Sequence, residues 1–596
     1  MSDSIDELLL DYYQQELSFL RLAGSRFAEN YPKVARRLAL SQDECPDPHV
    51  ERLLEGFALL SARLHRSLDD EYSQLTDALL EQLYPYALRP VPSTAILRFD
   101  PDPTKGNIAA GYPIPRGTAL HVTTQAGDSI HFRTAAEATL WPVQVEAAML
   151  VLAEEAQAVS HNPQARAALK LSLSCLAPHR FEDLPLETLR IHLAGSPVTS
   201  AALYDLLCAN AIGVSVARPG EAPSPVRGLP RPLGFEAEEA LLPAEDGLHP
   251  AYRLLVEYFA CPEKFAFFDL PIRMPLDAGE ALELVIAFDK APASRLTVRQ
   301  EDFALGCTPA VNLFPRTSEP LRPDGTQREY RLVADAHREA SMEIYAIRSL
   351  RASKNLKASP VQPYFAFGHT QDGPYWHARR VTGLHPDRLG SDMLLTFVDP
   401  HFQPAAVTDS TLTAELLCTN RYLAQTLPAG TKLSFERPGP VANVSLLRQP
   451  SPQTLPALGG ASRWRLVSQL SLNHLSLVED EKSVVALQEM LALHNLSDSQ
   501  VARRQIEGLS RVRSDRVVAQ VGEDAWRGWR NGLEVRLAVD PERFVGASPV
   551  LFSGVLAHFF SLYANANRFV RTVLEDPATG MEIKSWQTMT GEPLTL

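Results

Sequence analysis

Residues 48–83 read PHVERLLEGFALLSARLHRSLDDEYSQLTDALLEQL. Asp47 precedes Pro48, so an N-cap residue is followed by the proline that the first helical position tolerates, and Pro85 ends the segment. Between the prolines, large apolar residues recur at helical spacing and form one stripe. The stripe consists of Leu53, Phe57, Leu60, Leu64, Leu68, Leu75, Leu79 and Leu83. The stretch therefore predicts one helix of roughly 35 residues, about 50 Å long.

A helix of this length needs an apolar partner of similar length. The preceding segment predicts a first helix, because Leu9, Tyr13, Leu17 and Leu20 recur at helical spacing until Pro32 interrupts the pattern. That helix and the helices of other subunits are both candidate partners, and the sequence alone leaves both open. For the second case we predict a helical-bundle interface, formed by Leu53, Phe57, Leu60, Leu64, Leu68, Leu75 and Leu79.

The pattern changes after residue 93 to short apolar runs separated by Pro and Gly, which is typical of strands and turns. The predicted strands are residues 95–99, 131–133, 169–173, 189–193, 282–288 and 342–347. A short helix is predicted to open at residues 204–207, residues 217–234 are interpreted as a Pro- and Gly-rich connection, and residues 350–390 as a polar loop.

Strands and helices are mixed in the last part of the chain. Trp464, Leu466, Leu470 and Leu472 share one parity, which predicts a half-buried strand. Residues 483–493 predict a short amphipathic helix, and residues 535–539 predict a strand. A final apolar helix is predicted to begin at Ser548 and Pro549.

These patterns predict an α+β multidomain protein, in which long N-terminal helices precede β-rich lobes and a mixed α/β C-terminal module. The 46 prolines favour a β-rich body over a helical solenoid, because proline interrupts helices. We predict four parts: a helical region at 1–92, β-rich domains at 93–233 and 234–400, and a mixed domain at 401–596.

Composition limits the function classes. The net charge of −14 opposes nucleic-acid binding, which rewards excess Lys and Arg. The chain has no apolar run long enough to cross a membrane, and its N-terminus, MSDSIDELLLD, is acidic where a signal peptide is basic. We therefore expect a cytoplasmic protein without direct membrane insertion. The six widely spaced cysteines are interpreted as reduced, buried side chains.

The sequence gives little indication of catalysis. It contains no phosphate-binding glycine loop, zinc-binding H-E-x-x-H or serine elbow, so we predict no enzyme activity, no cofactor and no metal. Two hydrolase alternatives remain open: a thiolate at Cys418 with His474 as its base, and a carboxylate pair at Glu257 and Glu263. Structural roles are favoured for all four residues.

A basic cluster stands out in the acidic chain, and it consists of Arg503, Arg504, Arg511, Arg513 and Arg516. Most such clusters are solvated faces, and the alternative is contact with an acidic partner protein. An adaptor protein with another role, which binds an acidic partner through these arginines, is therefore a further alternative function.

Several distinctive blocks follow one another along nearly the whole chain. They include YYQQELSFLR (residues 12–21), LYPYALRPVPS (83–93), YRLLVEYFACPEKFAFFDL (252–270), CTNR (418–421), WRLVSQLSLNHLSL (464–477) and HFFSLYANANRF (558–569). In this order they resemble the TssF family of type VI secretion proteins. The aromatic residues within these blocks are interpreted as core residues rather than contacts, namely Tyr258, Phe259, Phe265, Phe267 and Trp464.

The resemblance implies a structural subunit of a baseplate wedge, similar to the wedge proteins of contractile phage tails. It implies assembly with TssG, TssE, TssK and a second copy of TssF, with the spike and the sheath as further contacts. It also implies a location in the cytoplasm, in a baseplate docked to the inner-membrane complex, where the wedge is the platform for tail tube and sheath assembly.

Overall fold

The computed structural model of the chain describes residues 2–35, 48–125, 127–245, 248–275, 278–292, 295–354, 357–364, 374–383, 390–398, 410–435, 439–456, 460–471, 483–520, 529–564 and 568–590. Within them the protein is α+β, as the sequence predicts: long helices come first, and sheets with shorter helices follow. The α-helices are α1 (Ser2–Asn30), α2 (Pro32–Ala35), α3 (Pro48–Leu83), α4 (Ala153–Ser160), α5 (Pro197–Asp205), α6 (Pro250–Ala260), α7 (Gly460–Ser471), α8 (Ser483–His494), α9 (Gln500–Glu507) and α10 (Pro549–Phe560).

Prolines in the local sequence set the ends of the two long helices. α1 ends at Asn30, two residues before Pro32, because the residue before a proline is disfavoured in helical conformation. α3 begins at Pro48 and ends at Leu83, and its 36 residues make it about 54 Å long. Both predicted helices are confirmed.

Six strands close into a barrel in the order β1-β15-β4-β3-β23-β24. They are β1 (Thr94–Pro101), β3 (Ala119–Thr123), β4 (Ser129–Thr134), β15 (Cys307–Val311), β23 (Lys432–Phe435) and β24 (Val441–Leu446). A small sheet pairs β2 (Tyr112–Ile114) with β5 (Ala138–Leu140).

Two antiparallel sheets lie in the central part of the chain. The first has the order β10-β9-β13-β7-β6 and consists of β6 (Val143–Leu152), β7 (Ala167–Cys175), β9 (Ala211–Ala217), β10 (Ser224–Val226) and β13 (Ala281–Phe288). The second has the order β11-β12-β8-β14 and consists of β8 (Thr188–Leu193), β11 (Arg231–Pro232), β12 (Phe267–Pro271) and β14 (Phe303–Ala304).

Three further sheets complete the fold. One has the order β16-β22-β18-β19, with β16 (Phe314–Thr317), β18 (Glu343–Lys354), β19 (Lys357–Val361) and β22 (Thr411–Thr419). The next has the order β17-β21-β20, with β17 (Tyr330–Leu332), β20 (Tyr375–Thr382) and β21 (Ser391–Val398). The last has the order β25-β26-β27-β28 with β29 on β27, from β25 (Leu509–Gln520), β26 (Trp529–Val539), β27 (Phe569–Glu575), β28 (Glu582–Ser585) and β29 (Met589–Thr590).

Strand pairing crosses the boundaries of the predicted domains 93–233, 234–400 and 401–596. The barrel takes strands from all three, because β1 pairs with both β15 and β24. β13 likewise pairs with β7 and β9. Antiparallel pairing between distant strands leaves no mark on the local apolar pattern, so the sheets do not follow consecutive stretches of sequence.

The largest hydrophobic core joins the end of α3 to the central sheets and to the C-terminal helices. α6 lies inside it, with nine of its eleven residues buried. Tyr258 and Phe259 on α6 and the nearby Phe265 and Phe267 are buried, as predicted. α10 begins where the sequence predicts: Ser548 is its N-cap and accepts a hydrogen bond from Leu551 N at 2.8 Å.

The predicted strands at residues 95–99, 131–133, 169–173, 189–193, 282–288 and 535–539 lie within β1, β4, β7, β8, β13 and β26. The predicted strand at 342–347 begins one residue before β18 and otherwise lies within it. The predicted helix at residues 483–493 is α8. The prediction for residues 204–207 placed the helix too late, because α5 begins at Pro197, where the Ser196 side chain accepts from Thr199 N.

Residues 350–390 were predicted to form a polar loop, and this is wrong for most of the described ones, since β18 continues to Lys354 and β19 and β20 follow. At least one polar residue of these strands is hydrogen-bonded inside the fold. The Arg380 guanidinium on β20 donates to Ile344 O at 2.8 Å and Tyr345 O at 2.6 Å.

The predicted strand around Trp464 is also wrong, because Gly460–Ser471 is helix α7. Leu466 and Leu470 share a parity, but they are also four residues apart, so the same pair fits a helical face. Leu466 is buried, whereas Trp464 is 56% exposed and is not the predicted core residue. Leu472 lies outside the described residues.

Candidate functional site

The stripe on α3 faces solvent. Residues two apart on an α-helix point about 200° from each other, so Ala58 and Ala62 lie opposite Leu60 and Leu64. Both alanines are fully buried. The stripe is exposed by 73% at Leu53, 59% at Phe57, 60% at Leu60, 66% at Leu64, 60% at Leu75, 38% at Leu79 and 46% at Leu83. The side chain of Leu68 lies outside the described part of the structure.

α1 packs along α3 in the antiparallel direction and leaves the stripe uncovered. Glu16 pairs with His65 at 2.7 Å and Arg21 pairs with Glu51, so the partner number falls as the residue number in α1 rises. None of the described side chains between residues 9 and 35 is buried. The alternative in which α1 covers the stripe within the same chain therefore has no support, because α1 packs on the alanine face instead.

The C-terminal end of α3 is embedded in the protein body. Leu80 and Tyr84 are fully buried in the large core, and Tyr84 Oη lies 2.7 Å from His494 Nδ1. Burial also raises the pKa of Tyr84 well above its ordinary value, so its hydroxyl stays protonated. Asp77 accepts from Arg463 of α7 at 2.7 Å. α3 is thus fixed at one end and presents apolar side chains along the rest of its length.

Sequence analysis missed that α1 also has exposed apolar side chains. Leu10, Phe19 and Leu22 are at least half exposed. The spacing of Phe19 and Leu22 was an available signal, because residues three apart share a helix face. The antiparallel pair of α1 and α3, named the helical hairpin from here on, thus has exposed apolar groups on both helices.

The structure brings together only part of the basic cluster. Arg503 and Arg504 lie on α9, and Arg511, Arg513 and Arg516 lie on β25. Arg511 and Arg513 share one face of the strand, and Arg516 has the opposite parity. All five are exposed, and Arg503 pairs with Asp498.

The candidate catalytic residues are in structural environments. Cys418 is fully buried, and burial raises the pKa of its thiol to about 12, which disfavours the nucleophilic thiolate. His474 lies outside the described residues. Glu257 is buried against Lys264 and accepts from Leu242 N at 2.9 Å, whereas Glu263 pairs with Arg448 at 2.6 Å. Each carboxylate thus has its own cation, and the two do not form a shared acid–base site.

Metal and membrane sites are the remaining candidates within the same described ranges. They contain no group of His, Cys, Asp and Glu side chains arranged to hold a metal ion. No helix within these ranges combines the length and apolar character needed to cross a membrane.

A family model and a known protein each match nearly the whole chain. The family described as "Type VI secretion system, TssF" matches residues 5–593. The type VI secretion system component TssF1 of Pseudomonas aeruginosa is 36% identical over 616 aligned positions, which cover 98% of this chain and 98% of that protein.

Two solved structures have a similar fold. A chain of the TssK-TssF-TssG baseplate subcomplex, determined by cryo-electron microscopy, aligns with a TM-score of 0.72 and 24% identity over 90% of this chain and 98% of that one. A chain of the type VI secretion baseplate complex aligns with a TM-score of 0.59 and 22% identity over 98% of this chain and 99% of that one. With its ordered blocks, its full-length family match and its close relative, the chain belongs to the TssF family of type VI secretion systems.

Proposed function

We propose that this protein is a structural subunit of the type VI secretion baseplate wedge and that its apolar helical hairpin joins a bundle shared with other subunits. The observation that carries the proposal is the exposed stripe on α3, which is continuous with a helix end fixed in the core. Family membership and the similar chains in two baseplate assemblies support the same role.

The size of the stripe favours a bundle over a simple two-body contact. Leu53, Phe57, Leu60 and Leu64 are each about 60% exposed or more. Complete burial of such side chains contributes about 1.5–3 kcal/mol each, so covering the exposed fractions of these four contributes about 4–8 kcal/mol. Association itself costs about 4–15 kcal/mol, because the partners lose translational and rotational freedom. The stripe therefore needs additional contacts, which the exposed apolar residues of α1 and further helices would supply.

The partners follow from the proposed role. TssG and TssK are the first partners, because the similar chain with the higher TM-score was solved in a complex with them. A second copy of this chain and TssE would complete the wedge, with the spike and the sheath as further contacts. The assembly would lie in the cytoplasm, docked to the inner-membrane complex.

This role requires no catalysis. The burial of Cys418 and the separate ion pairs of Glu257 and Glu263 argue against the hydrolase alternatives. The work of the protein would then consist of holding subunits at fixed relative positions.

The test is the mass of the assembled complex. The chain is expressed alone and together with the TssG and TssK proteins of the same secretion system, and mass is measured by light scattering after size exclusion. We expect a stable complex that contains this chain and TssG. A chain that elutes alone at every concentration, with TssG folded and soluble, contradicts the proposal.

A further inference from the structure

The last sheet ends in a long strand with one edge that no described strand covers, and Leu509 O at its start accepts from Gln488 Nε2 of α8 at 3.0 Å. β25 pairs with β26 over its whole length, and within the described residues no strand pairs with its other edge. Twelve strand residues span about 40 Å. An edge of this kind presents backbone N–H and C=O groups to which another strand can bond.

The charges along the sheet change between its interior and this edge. Arg536 on β26 pairs with Glu534 at 2.6 Å and with Glu575 at 2.7 Å, and Arg571 on β27 also pairs with Glu534. The guanidinium groups of Arg511 and Arg513 on β25, by contrast, make no ion pair or hydrogen bond with any residue in the described ranges. Arg536 and Arg571 are thus neutralised, whereas Arg511 and Arg513 are not.

One cross-strand pair makes the imbalance local. Arg513 lies directly opposite Arg536 in the register of β25 and β26, and the two carboxylates that pair with Arg536 make no ion pair with Arg513. An anionic group beside Arg513 would supply the missing counter-charge. Since the chain has a net charge of −14, the uncompensated arginines form a basic site on an acidic protein.

The outer end of the same hairpin provides an apolar contact. Val518 and Trp529 are exposed, and the pairing of Gln520 with Trp529 and of Val518 with Asn531 places both side chains on one face. That face is opposite to the one of Arg511 and Arg513, because Val518 has the other parity. A strand added at the edge would meet Arg511 and Arg513, with Asp515, on one face, and Arg516 and Val518 on the other.

We infer that the free edge of β25 binds an extended acidic segment of another protein, which adds to the sheet as a further strand. Residues two apart in that segment face the same side, so two carboxylates at positions i and i+2 would meet Arg511 and Arg513. The residues between them would be apolar and lie on the face of Val518. The site shares no residue with the α3 stripe, so the inference stands or falls separately from the proposed bundle.

The experiment uses the full chain and three fluorescein-labelled nonapeptides in an anisotropy titration. The first alternates Glu and Val, the second has the same composition with the Glu residues in one block, and the third is the alternating peptide N-methylated at every backbone amide. The third keeps every charge but has no backbone N–H to donate. We expect the alternating peptide to bind at least tenfold more tightly than either of the others.

Two double variants identify the site. Arg511→Ala with Arg513→Ala is expected to weaken binding of the alternating peptide at least tenfold. Arg316→Ala with Arg351→Ala removes the same charge from two exposed arginines of another sheet, and we expect binding to change less than threefold. Circular dichroism and the urea midpoint establish that both variants remain folded.

Three results would overturn the inference. Equal binding of all three peptides would show general charge attraction without strand addition. No binding at millimolar peptide would show that the arginines only keep the edge unpaired. A single-stranded oligonucleotide that binds more tightly than the alternating peptide and displaces it would identify a nucleic acid as the ligand.

Discussion

Replacing Leu60 and Leu64 of the α3 stripe by aspartate is expected to prevent assembly without unfolding the chain. Both side chains are at least 60% exposed in the single chain, so the substitutions remove little packing from the fold. Each Asp is a weaker helix former than Leu by about half a kcal/mol. We therefore expect the free energy of unfolding of the isolated chain to fall by about 1 kcal/mol at most.

The effect on assembly is much larger. Each leucine loses about 1–2 kcal/mol of burial in the complex, scaled by its exposed fraction. Each carboxylate left without a partner in the interface costs at least another 1–3 kcal/mol. The two sites together weaken the complex by about 4 kcal/mol or more, which is about a thousandfold in the dissociation constant.

The assay compares complex formation with the stability of the isolated chain. The double variant is titrated with the TssG–TssK complex by light scattering, and its urea unfolding is measured alone. The matched control is Leu229→Asp with Met581→Asp, which places the same charges at two exposed apolar residues outside the hairpin. We expect the control to assemble like the unchanged chain.

Two outcomes would refute this reasoning. If the double variant assembles with a dissociation constant within tenfold of the unchanged chain, the stripe is not the interface. If the isolated variant loses more than about 3 kcal/mol of unfolding free energy, the stripe is covered within the chain itself.

Three further predictions concern the core. Glu257→Gln leaves Lys264 buried without its anion and is expected to lower the free energy of unfolding in urea by about 3 kcal/mol or more. The control, Glu263→Gln at the half-exposed pair with Arg448, is expected to cost under about 1 kcal/mol. Equal losses for the two variants would contradict this prediction. Burial raises the pKa of Asp205 to about 7, against about 4 when unfolded, so the folded state binds the extra proton and the free energy of unfolding falls as pH rises from about 4 to 7. Asp205→Asn is expected to flatten that dependence in urea titrations at pH 5 and pH 8, and an unchanged slope would count against it. Burial raises the pKa of the Cys418 thiol to about 12, so Cys418 is expected to resist iodoacetamide at pH 8 until the chain unfolds. Rapid labelling of the folded chain, measured by peptide mass spectrometry, would instead support the hydrolase alternative with a Cys418 thiolate.

Local sequence signals predicted the elements well where the chain marks its own boundaries. Pro48 and Pro85 delimit α3, and Ser548 caps α10, because prolines and capping side chains act on the nearest turn. The same signals did not identify the barrel, since the pairing of β1 with β24 joins residues more than 340 positions apart in the register of Leu97 with Leu446. Nothing within either strand specifies that partner.

The orientation of α3 was harder to predict than its existence. The large apolar residues are the obvious candidates for an inward face, yet the covered face carries Ala58 and Ala62. Small side chains let two helices approach closely, so the spacing of the alanines was the relevant signal for the contact with α1. The apolar pattern indicated that some partner covers the leucines, but it did not distinguish one in this chain from one in another.

The continuity of α3 also determines how the candidate interface is positioned. The helix is unbroken over its 36 residues, so the stripe near Leu53 and the buried residues Leu80 and Tyr84 belong to one hydrogen-bonded rod. Its direction is set where it enters the core, through the contact of Tyr84 with His494 and the pair of Asp77 with Arg463. A flexible linker would let the stripe sample many directions and would add an ordering cost on assembly. Because the C-terminal end of the rod lies inside the largest core, the folded body already fixes the angle at which its apolar face meets other helices.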